Sequence, residues 1–352
     1  MNARRIALDI LMAIEEEKAY SNIAILKHLY NQKISHLDRK LITELVYGVL
    51  ENKIYLDFII KQLSKIQITS LDKGIRMILR MGLYQIIYLD KIPAFAVVNE
   101  SVRLAKKVNV KASGYVNGLL RNFLREHKKI KIPSAKDNLV AHLSIRYSHP
   151  EWLVEKWIHQ LGEEFTAELL KANNERPLLT IRTNTLKIDK QRLVQILSKE
   201  GAKVSNGLHV EDALYIKDIG NIAKLESFQN GYFQVQDESS MLAVHALDPK
   251  PGEFVLDLCA APGGKSTYIA QLMKNEGIIL ARDIYDHKIK LVQDHAARLG
   301  IHIIQTEVFD ATKFDHSLIE KADKVLLDAP CSGLGIIRRK PEIKYSKQPK
   351  DL

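Results

Sequence analysis

Between Ala3 and His127 apolar residues recur every three or four positions, as at Leu41, Leu45, Val46 and Val49, the spacing that places them on one face of an α-helix. The pattern predicts seven consecutive amphipathic helices over positions 3–16, 21–32, 38–50, 55–63, 71–89, 95–108 and 113–127. The breaks coincide with Pro93 and Pro133, and Ser21 and Ser113 stand where helix N-caps are wanted. Residues 1–135 therefore read as an all-α bundle. Positions 133–138 read as a linker, and 138–174 as helical segments around Ser148-His-Pro-Glu-Trp.

From Leu178 the period changes. A strand at 179–184, a helix at 190–200 and short strands at 203–204, 208–210 and 233–235 describe a small α+β module over 177–235. From Phe254 strands and helices alternate: strand 254–258, helix 266–273, strand 277–283, helix 287–299, then strands 301–306 and 324–328. That order predicts a doubly wound parallel sheet, and 236–352 are assigned to it. Four strands are found. The outer edge of the fourth, with Val325 and Leu327, is therefore expected to be poorly covered.

Composition narrows the class. The 352 residues, 46% hydrophobic and 27% charged, suit a folded chain of two or three domains. Apolar runs fall short of a membrane span, and Asp9 with Glu15, Glu16 and Glu17 spoils a signal peptide, so a cytoplasmic protein without a membrane anchor is expected. Cys259 and Cys331 are the two cysteines, and no CxxC pair exists, which excludes a disulfide framework and a cysteine metal cage. The net charge of +10 is not spread evenly: residues 1–135 hold 23 Lys and Arg against 12 Asp and Glu, leaving 29 against 30 for the rest. Nine basic residues lie between positions 103 and 131, among them Arg103, Lys106, Lys107, Arg121 and Arg125, and only Glu126 opposes them. A concentrated cationic face of this kind suits phosphates, so the helical domain is expected to bind nucleic acid.

Two motifs carry the chemistry. The first, Asp257-Leu-Cys-Ala-Ala-Pro-Gly-Gly-Lys-Ser-Thr, runs from a strand through a glycine turn into a helix, where the backbone can approach a ligand and free N–H groups are offered. A P-loop would need glycine where Cys259 stands, and G-x-G-x-x-G is absent, so neither an NTPase nor a dinucleotide oxidoreductase is expected. Asp283, ending the next strand, can accept both hydroxyls of a ribose, and Asp310, after the third strand, can meet an adenine edge. The second motif, Asp328-Ala-Pro-Cys-Ser-Gly-Leu-Gly, ends the fourth strand and places Cys331 beside a proline bend for contact with substrate.

Together these motifs resemble the S-adenosylmethionine-dependent RNA cytosine-5 methyltransferases of the NOL1/NOP2/Sun group. The basic bundle, with Asp38-Arg39, Val46-Tyr-Gly-Val and Tyr115-Val-Asn-Gly-Leu-Leu-Arg, is similar to the NusB-like domain of the Sun/Fmu (RsmB-type) branch. With Leu179-Thr-Ile-Arg-Thr-Asn and Phe233-Gln-Val-Gln-Asp-Glu-Ser-Ser the similarity spans nearly the whole chain. It implies a NusB-like RNA-binding domain (1–135), a helical linker (136–176), a small α+β RNA-binding module (177–235) and a Rossmann-like methyltransferase domain (236–352). It implies S-adenosylmethionine held by Cys259, Ala260, Ala261, Pro262, Gly263, Gly264, Lys265, Asp283, Asp310 and Asp328, with Asp328 also reaching the target base. The substrate implied is a cytosine of small-subunit (16S) ribosomal RNA, modified by a monomer that needs no metal.

Cytosine C5 takes a methyl group only after a thiolate has added to C6. In the RNA enzymes the resemblance gives that attack to a Thr-Cys pair after a fifth strand, and gives the Pro-Cys cysteine, here Cys331, product release. DNA cytosine-5 enzymes use the Pro-Cys cysteine itself, so Cys331 is the alternative nucleophile. No Thr-Cys pair occurs up to Leu352, and the sequence reads as an enzyme lacking its C-terminal part. The rival reading is a non-catalytic RNA-binding protein that uses its NusB-like bundle.

Overall fold

The computed structural model describes residues 2–30 and 34–351. Its contacts separate into two units, the first made by the chain up to Arg176 together with the segment from Ser332 onward, the second by Pro177–Cys331.

The first unit is helical: α1 (Ala3–Glu17), α2 (Ser21–Leu29), α3 (His36–Glu51), α4 (Lys53–Leu63), α5 (Lys73–Tyr88), α6 (Ala94–Val108), α7 (Ser113–Glu126), α8 (Leu139–Tyr147), α9 (Glu151–Leu161) and α10 (Glu163–Asn173). The predicted helices are all present, with ends within two residues of those expected; the predicted end of the second, at Gln32, lies outside the described residues. Local chemistry sets the boundaries. Ser35 Oγ accepts from Asp38 N at 3.1 Å to start α3, and Asn138 Oδ1 accepts from Ala141 N at 2.9 Å to start α8. The apolar stripes of α1 to α7 meet in one core that includes Ile10, Ile42, Leu45, Leu56, Ile59, Leu79 and Leu120.

By its contacts the segment from Ser332 packs into the helical unit. Ile337 and Ile343 are buried against Leu143, Leu153, Val154, Trp157 and Leu170. Arg338 donates from Nε and Nη2 to the carbonyls of Glu175 and Arg176, both at 3.0 Å. Lys344 is fully buried and donates from Nζ to Glu51 O at 2.9 Å and to Asn174 Oδ1 at 3.1 Å, and Glu342 Oε1 accepts from Ser21 N at 2.9 Å. The chain thus leaves this unit at Arg176 and re-enters it directly after Cys331.

The second unit holds two sheets. After β1 (Leu179–Thr183) come α11 (Lys190–Lys199), β2 (Lys203–Asn206), β3 (Ala213–Lys217), α12 (Glu226–Gln229), β4 (Phe233–Val235) and α13 (Glu238–Leu247). The strands form an antiparallel sheet in the order β2-β3-β1-β4. The strand expected at 208–210 is absent, and β3 forms three residues later. The reason is a side chain far along the sequence: Glu238 Oε1 accepts from His209 N (2.8 Å) and Val210 N (3.1 Å), which occupies the N–H groups a strand would have paired. Glu238 opens α13, a helix the hydrophobic pattern does not announce.

β5 (Phe254–Asp257), α14 (Gly264–Leu272), β6 (Ile278–Asp283), α15 (Asp286–Leu299), β7 (Ile304–Val308) and β8 (Lys324–Leu326) build the parallel sheet, in the order β7-β6-β5-β8. Counted within this sheet the order is 3-2-1-4, the arrangement of a doubly wound fold, with its switch point between β5 and β8. Residues of β5 pair with Ile278 to Ala281 on one side and with Lys324 to Leu326 on the other. β8 lies at the edge of the sheet, with Val325 52% and Leu327 59% exposed, as the four-strand reading expects. A short helix, α16 (Ile343–Ser346), closes the returning segment.

Candidate functional site

Open α/β sheets bind ligands beyond the carboxyl ends of their strands, where the strand order reverses. Here that point lies between the loop after β5 and the Asp328 motif after β8, so the fold brings the two sequence motifs together.

The loop is built from below. Asp257, 1% exposed at the end of β5, accepts from Ser266 Oγ at 2.7 Å, tying the strand end to the first turn of α14. Ala260 N donates to Arg282 O at 2.8 Å and Gly263 N to Ala260 O at 2.7 Å, which folds the intervening residues into a tight turn. Gly263 sits at φ +99°, and a Cβ there would lie 3.1 Å from Val292 Cα, so both conformation and space call for glycine. Gly264 begins α14, whose first N–H groups have no partner within the helix.

Carboxylates surround this turn. Asp283, 7% exposed at the end of β6, lies 3.5 Å from Lys288 Nζ. Asp328, more exposed, pairs with Lys265 of the loop. Burial pushes the Asp257 carboxyl up to about 6; Ser266, the Cys259 N–H and Lys265 pull it down, while Asp328 adds to the rise. Burial, then the negative charges of Asp283, Asp257 and Asp328, raise the Cys259 thiol, which stays protonated at neutral pH and is a poor nucleophile.

Asp310, half-buried after β7, accepts through Oδ1 from Thr312 N (3.0 Å) and Thr312 Oγ1 (2.7 Å), and these bonds hold its pKa below the usual value. Cys331 is an exposed free thiol three residues beyond Asp328.

The sequence reading missed the support beneath the loop. Arg182 in β1 is 1% exposed and donates from Nη1 to Gly264 O at 2.8 Å and to Gln236 Oε1, and from Nη2 to Thr267 Oγ1 at 3.2 Å. The signal was a lone arginine in the otherwise inward-packing strand Leu179-Thr-Ile-Arg-Thr.

In the helical unit, Arg103, Lys106 and Lys107 on α6 and Arg121 and Arg125 on α7 are exposed, on two helices that pack against each other. Their opposite faces bury Val98, Leu104 and Ala105 on α6, and Val116, Leu119, Leu120 and Phe123 on α7. Arg103 pairs with Glu100 at 2.7 Å, and Arg121 and Arg125 donate to Asn117 (2.9 Å) and Asn122 (3.4 Å) on their own helix. Among the described residues no His/Cys/Asp/Glu group is arranged to hold a metal, and no helix is long and apolar enough to cross a membrane.

Residues 244–352 match the family described as 16S rRNA methyltransferase RsmB/F, residues 1–125 the NusB family, and residues 149–223 the ferredoxin-like domain of RsmF/B-like methyltransferases. The chain is 43% identical over 355 residues to the probable ribosomal RNA small subunit methyltransferase B of Bacillus subtilis, covering 99% of this chain and 78% of the relative. It is 35% identical to the protein of the same description from Synechocystis, again covering 99% and 78%. The crystal structure of PH0851 superposes with a TM-score of 0.73 at 32% identity, over 99% of this chain and 78% of that one. Fold, motif placement and these likenesses agree: the chain belongs to the RsmB/F family of 16S rRNA methyltransferases.

Proposed function

We propose that this chain binds S-adenosylmethionine at the Gly263 turn and small-subunit ribosomal RNA through its helical unit, for transfer of a methyl group to C5 of a cytosine. The observation that carries the reading is a glycine turn at the switch point with the carboxylates of Asp283 and Asp328 near Cys259 of the loop and Asp257 buried beneath it. A nucleoside triphosphate brings several negative charges, which such a rim repels. S-adenosylmethionine brings a sulfonium cation and ribose hydroxyls, which the rim suits. The donor set therefore fits this cofactor, whose contribution when bound is an electrophilic methyl group.

The residues divide the remaining work. Cys259 to Lys265 form the turn against the cofactor, and Asp283 accepts from the ribose hydroxyls. Asp310 is assigned to the adenine edge, from its place after β7. Asp328, held by Lys265, accepts a hydrogen bond from the target base. At the cytosine the reaction would need a thiolate to add to C6; C5 would then take the methyl carbon as its bond to the sulfonium sulfur breaks, releasing S-adenosylhomocysteine, and loss of the C5 proton to a base would expel the thiolate and restore the ring. Cys331, exposed beside Asp328, is assigned to the release step. Arg103, Lys106, Lys107, Arg121 and Arg125 hold RNA phosphates.

Small-subunit RNA carrying 5-fluorocytidine tests the roles, because fluorine at C5 cannot leave as a proton does and the C6 adduct persists. The two cysteines of these 352 residues follow Leu258 and Pro330, so neither stands in a Thr-Cys pair. A polypeptide of this sequence is expected to bind the RNA without forming an adduct, and Cys331→Ala is expected to change neither result. An adduct formed by the parent and lost in Cys331→Ala would assign the attack to Cys331 and overturn this division.

A further inference from the structure

Arg182 carries a charge in an unusual place. It is 1% exposed, and among the described residues no carboxylate forms an ion pair with it. Its partners are neutral: Gln236 Oε1, Gly264 O, Thr267 Oγ1 and the face of Tyr268, 4.7 Å from the guanidinium carbon to the ring centroid. Burial lowers its pKa to about 9, Tyr268 and Asp212 opposing the fall, so the group is charged at neutral pH. A buried guanidinium satisfied only by neutral acceptors is an unfavourable way to stabilise a fold, and an apolar side chain of similar volume often does as well.

What the charge holds is specific. One arm takes the carbonyl of Gly264 directly. The other donates to Thr267 Oγ1, whose own proton goes to Gly263 O at 2.7 Å. One guanidinium thus reaches both glycine carbonyls of the turn, Gly264 O directly and Gly263 O through Thr267, whose backbone N also donates to Gly263 O at 2.9 Å. In a planar trans peptide the N–H points opposite to the C=O, so fixing these two oxygens fixes the N–H directions of Gly264 and Lys265, the first two donors of α14. Gln236 completes the clamp. Its backbone N donates to Thr180 O at 3.2 Å on β1, its side chain is 6% exposed, and its Nε2 is buried without a hydrogen-bond partner. Both clamp residues come from the α+β half of the unit, outside the motif they hold.

We propose that Arg182 and Gln236 are positioning residues for the cofactor, setting the direction of the N–H donors at the Gly263–Gly264 turn from the neighbouring sheet. The inference rests on the reading of that turn as the S-adenosylmethionine site. It separates an aligned turn from one that is merely present: loosening the clamp lowers cofactor affinity while the unit stays folded.

The test is calorimetric titration of the full chain with S-adenosylhomocysteine, with thermal unfolding and hydrogen exchange of the Thr267 and Tyr268 amides in the ligand-free protein. Arg182→Met is expected to weaken binding tenfold or more. Gln236→Leu, which leaves the arginine in place, is expected to weaken it about threefold or more, with faster exchange at those amides and an unchanged melting temperature. Gln236→Glu, which keeps an acceptor for Arg182, should restore affinity to within threefold of the parent, a rescue that general packing would not give. If Arg182→Met fails to fold, the two Gln236 variants decide. Equal affinities and exchange rates in parent and folded variants would overturn the positioning role while leaving the site intact. Absence of binding by the parent would overturn the site assignment, and the cofactor role with it.

Discussion

Gly263→Ala isolates the geometry on which the site depends. The residue has φ +99°, and an L-amino acid in left-handed backbone loses roughly 1–2 kcal/mol. The added Cβ would stand 3.1 Å from Val292 Cα and 3.3 Å from Val292 Cγ1, against the backbone of α15, which cannot yield as a flexible side-chain end would. Overpacking of this kind costs about 1–3 kcal/mol. The expected loss is therefore about 2–5 kcal/mol, confined to the second unit. Native-state hydrogen exchange at the amides of Leu256 in β5 and Ile279 in β6 reads it as an acceleration of roughly 30- to 5000-fold. Gly264→Ala is the control: nothing lies nearer than 3.9 Å to its Cβ and its φ is not left-handed, so its stability should stay within about 1 kcal/mol of the parent. Equal exchange rates in the two variants would refute the argument that the turn is held against α15.

Three further outcomes follow from the helical unit. Replacing Lys106, Lys107, Arg121 and Arg125 by Ala should reduce the slope of log affinity for small-subunit RNA against log salt by about 3, since each neutralised phosphate contributes roughly 0.7–0.9; an unchanged slope places the RNA elsewhere. Burial holds the His149 pKa well below 6.5, with Lys344 adding to the fall, and its Nδ1 lies 2.7 Å from Tyr147 O, which can only accept. The unfolded chain takes up a proton below pH 6.5 that the folded one refuses, so stability is intact above 6.5 and falls as pH drops below it, a loss that His149→Gln should remove in urea unfolding of the helical unit. Ile343→Ala should cost about 2–4 kcal/mol, because the side chain is 4% exposed among Leu143, Val154 and Trp157; exchange of the Ser346 amide, bonded to Glu342 O at 3.1 Å, reports whether the returning segment opens.

Periodicity carried the reading furthest where packing is local. The helices α1 to α7 each bury one stripe in a shared core, so their spacing is visible in the chain, and the alternation from Phe254 is equally plain. The two motifs could be placed at one end of the sheet because strand–turn–helix order fixes which ends meet. What escaped depends on partners distant in sequence. Leu208 to Val210 lost their strand to the Glu238 carboxylate, and the return of Ile337, Ile343 and Lys344 to the helical unit leaves no period in so short a segment. Arg182 reads as an ordinary strand residue until Gly264 and Thr267, more than 80 positions on, are seen against it. Asp310 is placed by its position after β7, and the bonds of its Oδ1 to Thr312 are visible only in the structure.

The central claim is that the carboxylate-rimmed turn takes a sulfonium nucleoside and not a nucleotide phosphate. Calorimetric titration of the 352-residue chain with S-adenosylmethionine and, separately, with ATP under the same buffer and salt tests it directly. The account predicts saturable binding of S-adenosylmethionine, at least tenfold tighter than ATP and lost in Gly263→Val. Equal affinity for the two ligands, or tighter binding of ATP, would contradict it.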